Sequence, residues 1–125
     1  MTTPCVFCEI VAGRAPADVV EEWPEAVAFR PLNPVTDGHM LVVPRVHVAD
    51  ATVRPLVTGL VMTRASQVAA ALRRAGLADG VNVITSAGSA ATQTVFHLHI
   101  HVVPRFARDG LCLPWTGQQA GGETR

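Results

Sequence analysis

Alternation of apolar and polar residues makes the segment VFHLHIHVV, at Val95–Val103, the clearest strand in the chain. It places Leu98, Ile100 and Val102 on one side and three histidines on the other. Alternate side chains of a strand share a face, and neighbours on that face lie about 6.6–7 Å apart. The pattern predicts a strand over Thr94–Val103 with a buried apolar face and a row of imidazoles opposite.

Shorter apolar runs, bounded by proline, glycine, asparagine or aspartate, predict the remaining strands. A hairpin turn is expected at Trp23–Glu25, and loops are expected at Pro31–Gly38 and Gly88–Ala91. The four predicted strands are Asp18–Glu22, Ala26–Arg30, His39–Pro44 and Val81–Thr85.

Helical spacing predicts one long helix over Thr52–Ala75. We expect Asp50 or Thr52 to cap it, Pro55 to lie in its first turn, and Gly76 to follow its end. A shorter helix of one or two turns is predicted at Phe7–Ala12, closed by Gly13. The stripe of the long helix that faces the core is expected to contain Val57, Leu60, Val61, Val68 and Leu72.

This order of elements predicts an α+β fold: an antiparallel sheet of about five strands, one long helix on one face, and a short N-terminal helix. The length of 125 residues suits one domain, expected over residues 1–117, with a flexible tail at 118–125. No apolar run approaches the roughly 18 residues that span a membrane, and no secretory signal is recognisable, so we expect a cytoplasmic protein. Ten acidic and ten basic residues balance, which gives no electrostatic footprint for nucleic acid or a membrane.

The row His97, His99 and His101 admits three interpretations. It could be a polar strand face, a metal site, or a nucleophilic centre. Imidazole is half neutral near pH 6.5 and attacks phosphorus when a neighbour fixes its tautomer. Three adjacent rings allow such a division of labour, and we favour nucleophilic catalysis.

The segment His97–Val103 resembles the His-φ-His-φ-His-φ-φ signature of the histidine triad (HIT) family of nucleotide hydrolases and transferases. Four further segments are similar to the family in the same order. They are Cys5–Gly13, Asn33–His47 with its GHMLVVPRVH stretch, Gln93–Val95 before the triad, and Pro104–Arg105 after it.

The resemblance implies roles for five residues. His99 would be the nucleophile that forms a covalent nucleotidyl-histidine intermediate, and His101 would contact the phosphoryl oxygens. His39 would lie nearby as a polar support. Gln93 and Thr94 would hold the phosphate or leaving group by hydrogen bonds, although an ordinary loop-to-strand junction also explains that pair.

The resemblance also implies a nucleotide substrate, a homodimer and no organic cofactor. The candidate substrate-binding residues are Phe7, Phe29, Leu32, Asn33, Ser86, Gln93, Thr94, His99 and His101. Phe7, Phe29 and Leu32 are candidate walls for a base, although each could simply be core. Trp115 could close over a ligand base or lie at a subunit boundary.

Three positions depart from the family pattern. Pro31 stands where an acidic residue commonly binds the ribose hydroxyls, and its side chain offers no acceptor. Ser86 replaces the family's asparagine with a shorter donor. Thr92 replaces a glycine, and a β-branched residue at a positive φ would be strained. Triad chemistry is compatible with all three changes.

Cys5-x-x-Cys8 has a common metal-ligand spacing. Some family members bind zinc through two cysteines and two histidines, and the positions that match here are Cys5, Cys8, His47 and His97. We expect a structural zinc at these four residues. Buried thiols without metal, and a redox pair, are the alternatives. Cys112 is isolated and expected to be inert.

The leading interpretation is an enzyme that cleaves a nucleotide phosphoramidate, ester or anhydride at the α-phosphate. Within enzymes, cleavage or phosphorolysis of dinucleoside polyphosphates is the runner-up. From other classes come a nucleotide-binding sensor with little turnover and a metalloenzyme that uses the triad itself.

Overall fold

The computed structural model describes residues 5–113, which form two α-helices, one turn of 3-10 helix and five strands. The helices are α1 (Val6–Val11) and α2 (Pro55–Arg74), and the 3-10 turn lies at Ser89–Ala91. The strands are β1 (Asp18–Glu22), β2 (Ala26–Arg30), β3 (Met40–Pro44), β4 (Gly80–Ile84) and β5 (Ile100–Arg105).

All five strands form one sheet in the order β1-β2-β3-β5-β4, and every neighbouring pair is antiparallel. Antiparallel neighbours joined by turns, with one long helix crossing between β3 and β4, give the predicted α+β architecture. The fold class predicted from the sequence is confirmed.

The sheet separates two layers of apolar side chains. On one face, the predicted apolar residues of β5 and the turn before it, Leu98, Ile100 and Val102, pack against α2 and are fully buried. On the other face, Phe29, Leu41 and Val43 pack against Phe7 of α1. The two faces of the sheet therefore contribute to two different packing layers, and the side predicted to be buried, that of Leu98, Ile100 and Val102, is the side that packs against α2.

One member of the predicted helix stripe is wrong. Leu60 is 54% exposed, whereas Val57, Val61 and Val68 are buried and Leu72 is partly buried against them. The core stripe steps through Ala65 instead, because residues four and eight positions from Val57 lie on one face of a helix and Leu60 lies at its margin.

The predicted start of α2 is also wrong. The helix begins at Pro55 with Arg54 in the N-cap position, and no side chain caps it. Asp50 instead accepts hydrogen bonds from the backbone N–H and hydroxyl of Thr52, at 2.8 and 2.6 Å, in a separate turn. Pro55 lies in the first turn and Gly76 follows the helix with φ +73°, both as expected.

The last strand is shorter than predicted, because β5 begins at Ile100 rather than at Thr94. Ahead of it, the backbone N–H of Leu98 donates to the carbonyl of Val48 at 2.8 Å instead of joining the sheet. His97 and His99 therefore lie on irregular backbone, and His101 is the one triad histidine within the strand.

Within residues 5–113, no helix combines the length and the apolar composition needed to cross a membrane. The expectations for Trp115 and for the tail at 118–125 fall outside the described residues.

Candidate nucleotide site and metal-ligand tetrad

The candidate site lies on the α1 face of the sheet. Direct pairing places Phe29 beside Leu41, Leu41 beside His101, and His101 beside Ile84. Residues directly opposite each other in antiparallel strands project to the same face. His101 therefore shares this face with the apolar residues that surround α1.

The His97 ring is completely buried and contacts the ring of His47, whereas the rings of His99 and His101 contact each other. Its Nε2–H donates to the carbonyl of Pro44 at 2.9 Å. A neutral imidazole with its proton on Nε2 has its lone pair on Nδ1. That Nδ1 lies 3.4 Å from the Cys5 sulfur, 3.5 Å from the Cys8 sulfur and 3.2 Å from Nδ1 of His47.

The tetrad of Cys5, Cys8, His47 and His97 has the separations of a tetrahedral metal site. Its four ligand atoms lie within 4.8 Å of one another, and the Cys8 sulfur lies 3.3 Å from Nδ1 of His47. Zinc bonds of about 2.3 Å to sulfur and 2.0–2.1 Å to nitrogen, at tetrahedral angles, separate ligand atoms by about 3.3–3.8 Å. Among the described residues, this is the one convergent group of three or more such side chains, so the triad row itself forms no metal cluster.

The protonation states around the tetrad also suit a metal. Burial, the largest cause, lowers the pKa of His97, which keeps the ring neutral. The Pro44 carbonyl orients that ring from behind, as carbonyls commonly do for metal-binding histidines. Burial raises the pKa of the Cys8 thiol, so metal binding at neutral pH would release its proton.

The His99 ring is partly exposed, and one nitrogen has a fixed role. Its Nδ1–H donates to the carbonyl of His97 at 2.8 Å. The lone pair therefore resides on Nε2, to which no described residue makes a hydrogen bond. The edge of Phe7 meets this ring, with centroids 5.2 Å apart and planes at 88°. His99 is thus neither enclosed by aliphatic side chains nor part of the tetrad.

His39 and His101 form a directed chain of hydrogen bonds. The backbone N–H of Val35 donates to Nδ1 of His39 at 3.1 Å, so the proton of His39 lies on Nε2. This Nε2–H lies 3.0 Å from Nδ1 of His101 and donates to it. The proton of His101 is therefore on its own Nε2, where it can donate to an anion.

The imidazole rings of His39 and His101 are both held neutral. Burial lowers the pKa of His39, which is a buried residue. Burial first, then the neighbouring His99 and His39, lowers the pKa of His101 to about 4. A neutral ring keeps one donor and one acceptor, so the direction of the chain persists at neutral pH.

Gln93 is an anchor of the preceding loop. Its buried amide oxygen accepts from the N–H of Gly88 at 2.8 Å. Its amide nitrogen donates to the carbonyls of Ala49 and Val95 at 2.7 and 3.0 Å. Both amide hydrogens are engaged in this conformation, which leaves no donor for a phosphate. Thr94 is exposed, and its hydroxyl bonds to no described residue.

Thr85 is a residue that the sequence reasoning missed. Its hydroxyl donates to the carbonyl of His99 at 2.8 Å and so fixes the backbone of that histidine. In the sequence, Thr85 is an ordinary residue at the end of a strand, and no local pattern predicts its hydrogen bond to His99, fourteen positions away.

The loop before Gln93 contains the strained residue that the departure from the family pattern suggested. Thr92 has φ +75° and ψ +16°, in the left-handed region. This conformation costs an L-residue roughly 1–2 kcal/mol and a β-branched one more.

The remaining candidate residues are dispersed around this centre. Phe29 is buried and its ring meets that of Phe7, with centroids 5.4 Å apart. Leu32 is 98% exposed, Asn33 is exposed and Ser86 is half-buried. No hydrogen bond or ring contact among the described residues joins these last three to the histidines.

The fold and the site define a small α+β protein of the histidine-triad type, and three comparisons agree. A family model described as the HIT domain matches residues 12–108. An uncharacterized HIT-like protein of Mycobacterium tuberculosis is 43% identical over 102 residues, which are 81% of this chain and 71% of that protein. A zinc-bound histidine triad family protein of Mycobacterium smegmatis has a TM-score of 0.81 at 44% identity, covering 87% of this chain and 80% of its own.

One relative has a name that specifies an activity. A protein of Arabidopsis thaliana named adenylylsulfatase HINT3 is 32% identical over 108 residues, which are 86% of this chain and 55% of that protein. The chain belongs to the HIT domain family. Membership supports a nucleotide hydrolase or transferase type of function in general.

Proposed function

We propose that the chain is a nucleotide phosphoramidase or hydrolase that cleaves at the α-phosphate through a covalent nucleotidyl-His99 intermediate. One observation carries the proposal. The Nδ1–H of His99 is committed to the carbonyl of His97, which leaves a lone pair on Nε2 of a partly exposed ring. A nucleophilic imidazole requires that tautomer and that access.

The first half of the reaction transfers the nucleotidyl group to the ring. The Nε2 lone pair attacks phosphorus, and the bond from phosphorus to the leaving nitrogen or oxygen breaks. Its electron pair goes to the leaving group, which takes up a proton from solvent. The ring becomes cationic, and the His97 carbonyl stabilises that charge through the Nδ1–H.

The second half restores the enzyme. A water molecule attacks phosphorus, the phosphorus–Nε2 bond breaks, and its electron pair returns to the ring. The proton of the attacking water leaves to solvent. In both halves the Nε2–H of His101 donates to a phosphoryl oxygen, with His39 fixing its tautomer. Thr94 supplies a second neutral donor, and Gln93 keeps the loop that carries Thr94 in place.

A structural zinc fits the tetrad. The two thiols and the two Nδ1 atoms would hold it, and zinc would supply a fixed tetrahedral junction between α1 and the triad segment. The similar mycobacterial structure is zinc-bound, which supports this assignment. His99 is outside the ligand set, so the proposed reaction needs no metal at phosphorus.

We also propose a single HIT domain over residues 1–117 that acts as a cytoplasmic homodimer on nucleotide substrates, as the resemblance implies. Light scattering of the purified chain would test the dimer. A monomer would contradict it.

The test of the activity is a substrate panel: an adenosine phosphoramidate, an adenylyl sulfate and a dinucleoside polyphosphate. His99→Asn is the informative variant, because an amide can still donate to the His97 carbonyl yet has no nucleophilic lone pair. Arg73→Asn, at the exposed end of α2, is the matched control. We expect turnover by the wild type and the control, and loss of turnover in His99→Asn with an unchanged circular dichroism spectrum. Turnover by His99→Asn would refute the mechanism, and tight binding without turnover by the wild type would identify a sensor.

A further inference from the structure

Phe7 lies between the tetrad and the proposed nucleophile. It follows Cys5 by two residues and precedes Cys8, so both metal-ligand cysteines flank it on α1. The residue is 8% exposed, and its ring makes edge contacts with His97 at 5.9 Å and with His99 at 5.2 Å between centroids. Phe7 is therefore in contact both with a histidine of the tetrad, His97, and with the proposed nucleophile, His99.

The position of α1 depends on anchors at its two ends. A helix of six residues is far below the roughly 12–15 residues at which isolated helices become marginally stable. At its start, Cys5 takes the N-cap position and its sulfur accepts from the Cys8 N–H at 3.4 Å. At its end, Arg45 donates to the carbonyl of Val11 at 3.3 Å. The first anchor is part of the tetrad, so ligation fixes the end of α1 that carries Phe7.

A second connection runs through the chain itself. Nδ1 of His97 points into the tetrad, and the carbonyl of the same residue holds the His99 ring by its Nδ1–H. The His99 ring is thus located by a hydrogen bond that it donates to the backbone of a tetrad residue, by the edge contact with Phe7, and by a ring contact with His101 at 5.2 Å between centroids. The first two of these contacts depend on the geometry of the tetrad.

We propose that Phe7 is a positioning residue that transmits the ligation state of the tetrad to the His99 ring. Metal in the tetrad holds α1 against the sheet, and the edge of Phe7 then fixes the plane of the imidazole that attacks phosphorus. This inference rests on the proposed function, since it assigns Phe7 a part in that reaction.

The experiment compares zinc-loaded and zinc-stripped full-length protein for the wild type and for two variants. Phe7→Leu removes the ring, and Phe7→Met, whose unbranched side chain adapts better to an irregular space, is the second variant in case the first fails to fold. Ile10→Val is the matched control, since Ile10 packs in the same apolar layer from α1 without a ring contact to a histidine. The zinc content of each sample is measured by atomic emission.

Two readouts report on His99. The first is the nuclear magnetic resonance signal of its ring Cε1–H, assigned by the His99→Asn variant, which needs no substrate. The second is the rate of nucleotidyl-histidine formation in a single turnover, together with kcat and KM.

The expected results follow from the two contacts. Stripping zinc from the wild type shifts the His99 signal and lowers the single-turnover rate about tenfold, as displacement of a reacting group by a fraction of an ångström can do. Both Phe7 variants still bind one zinc per chain, show a similar loss in kcat with little change in KM, and respond weakly to zinc removal. Ile10→Val behaves as the wild type. Effects that act through one residue are expected to be non-additive in this way.

Three results would overturn the inference. The wild type could bind no zinc, zinc removal could leave the His99 signal unchanged, or the Phe7 variants could respond to zinc removal as fully as the wild type does. Failure of the proposed function is distinguishable, because absence of a nucleotidyl-histidine in the zinc-loaded wild type leaves the resonance comparison intact.

Discussion

Replacement of His39 by alanine tests the directed chain that ends on His101. The variant removes the Nε2–H that donates to Nδ1 of His101 at 3.0 Å, and it removes the acceptor of the Val35 N–H. His101 can then adopt either tautomer and a wider range of ring orientations. The account predicts slower nucleotidyl transfer with the overall fold retained.

The magnitude follows from what His101 loses. A neutral hydrogen bond contributes about 1 kcal/mol, and leaving a buried partner unsatisfied costs about 1–3 kcal/mol. If this loss of interaction energy is felt in the transition state, each 1.4 kcal/mol lowers the rate by about a factor of ten. We therefore expect a decrease of about ten- to a hundredfold in the single-turnover rate.

The same variant should raise the pKa of His101. Burial and the neighbouring rings of His99 and His39 lower this pKa to about 4 in the wild type. Removing one ring and admitting water weakens two of these causes, so the pKa moves back toward 6.5. The acid limb of the rate profile that belongs to His101 should move to higher pH by the same amount.

The assay combines a pH titration of the His101 ring signal with single-turnover rates across the same pH range. His39→Gln is the conservative control, because its amide can still donate to Nδ1 of His101 and should recover part of the rate. An unchanged rate and an unchanged titration of His101 in His39→Ala would refute the reasoning. The chain of hydrogen bonds would then have no role in the site.

Three further predictions concern stability. Thr92→Gly should raise the free energy of unfolding, measured in urea, by about 0.5–1 kcal/mol, because relief of the left-handed strain exceeds the entropy cost of glycine. A decrease would mean that the threonine side chain stabilises the loop. Gln93→Ala should lower the free energy of unfolding by about 3 kcal/mol, because three hydrogen bonds are lost. A change below about 0.5 kcal/mol would contradict the role of Gln93 as an anchor of the loop. The pKa of His101 is about 4 in the folded protein and about 6.5 in the unfolded chain, so the unfolded chain takes up a proton first as the pH drops. The free energy of unfolding should therefore fall by up to about 3 kcal/mol between pH 6.5 and pH 4. A flat urea-unfolding profile across that window would argue against a buried neutral ring.

Local patterns were sufficient to predict the sheet and the two helices. Leu98, Ile100 and Val102 alternate with the histidines, and this alternation assigned them to the core, where the structure packs them against α2. The start of β5 was beyond such reasoning. It depends on the hydrogen bond from Leu98 to Val48, fifty residues away, and the apolar–polar alternation continues through the irregular segment although its backbone bends at residues 95–97.

In the candidate site as well, some features were predictable from the sequence and others depend on tertiary contacts. The spacing of Cys5 and Cys8 and the resemblance to the family predicted a tetrad that the structure brings together. The role of Gln93 was not predictable, because its partners are backbone groups of Gly88, Ala49 and Val95, which carry no sequence signal. Whether an amide holds a phosphate or a loop is decided by tertiary contacts.

The central claim is that Nε2 of His99 becomes bonded to phosphorus. The most direct measurement is mass spectrometry of wild-type protein mixed with an adenosine phosphoramidate and quenched within one turnover in alkaline denaturant, which preserves phosphorus–nitrogen bonds. We expect a mass increase of one adenylyl group, mapped by fragmentation to His99 and missing from His99→Asn. Release of the product with no adduct at any time point, or an adduct on another residue, would contradict it.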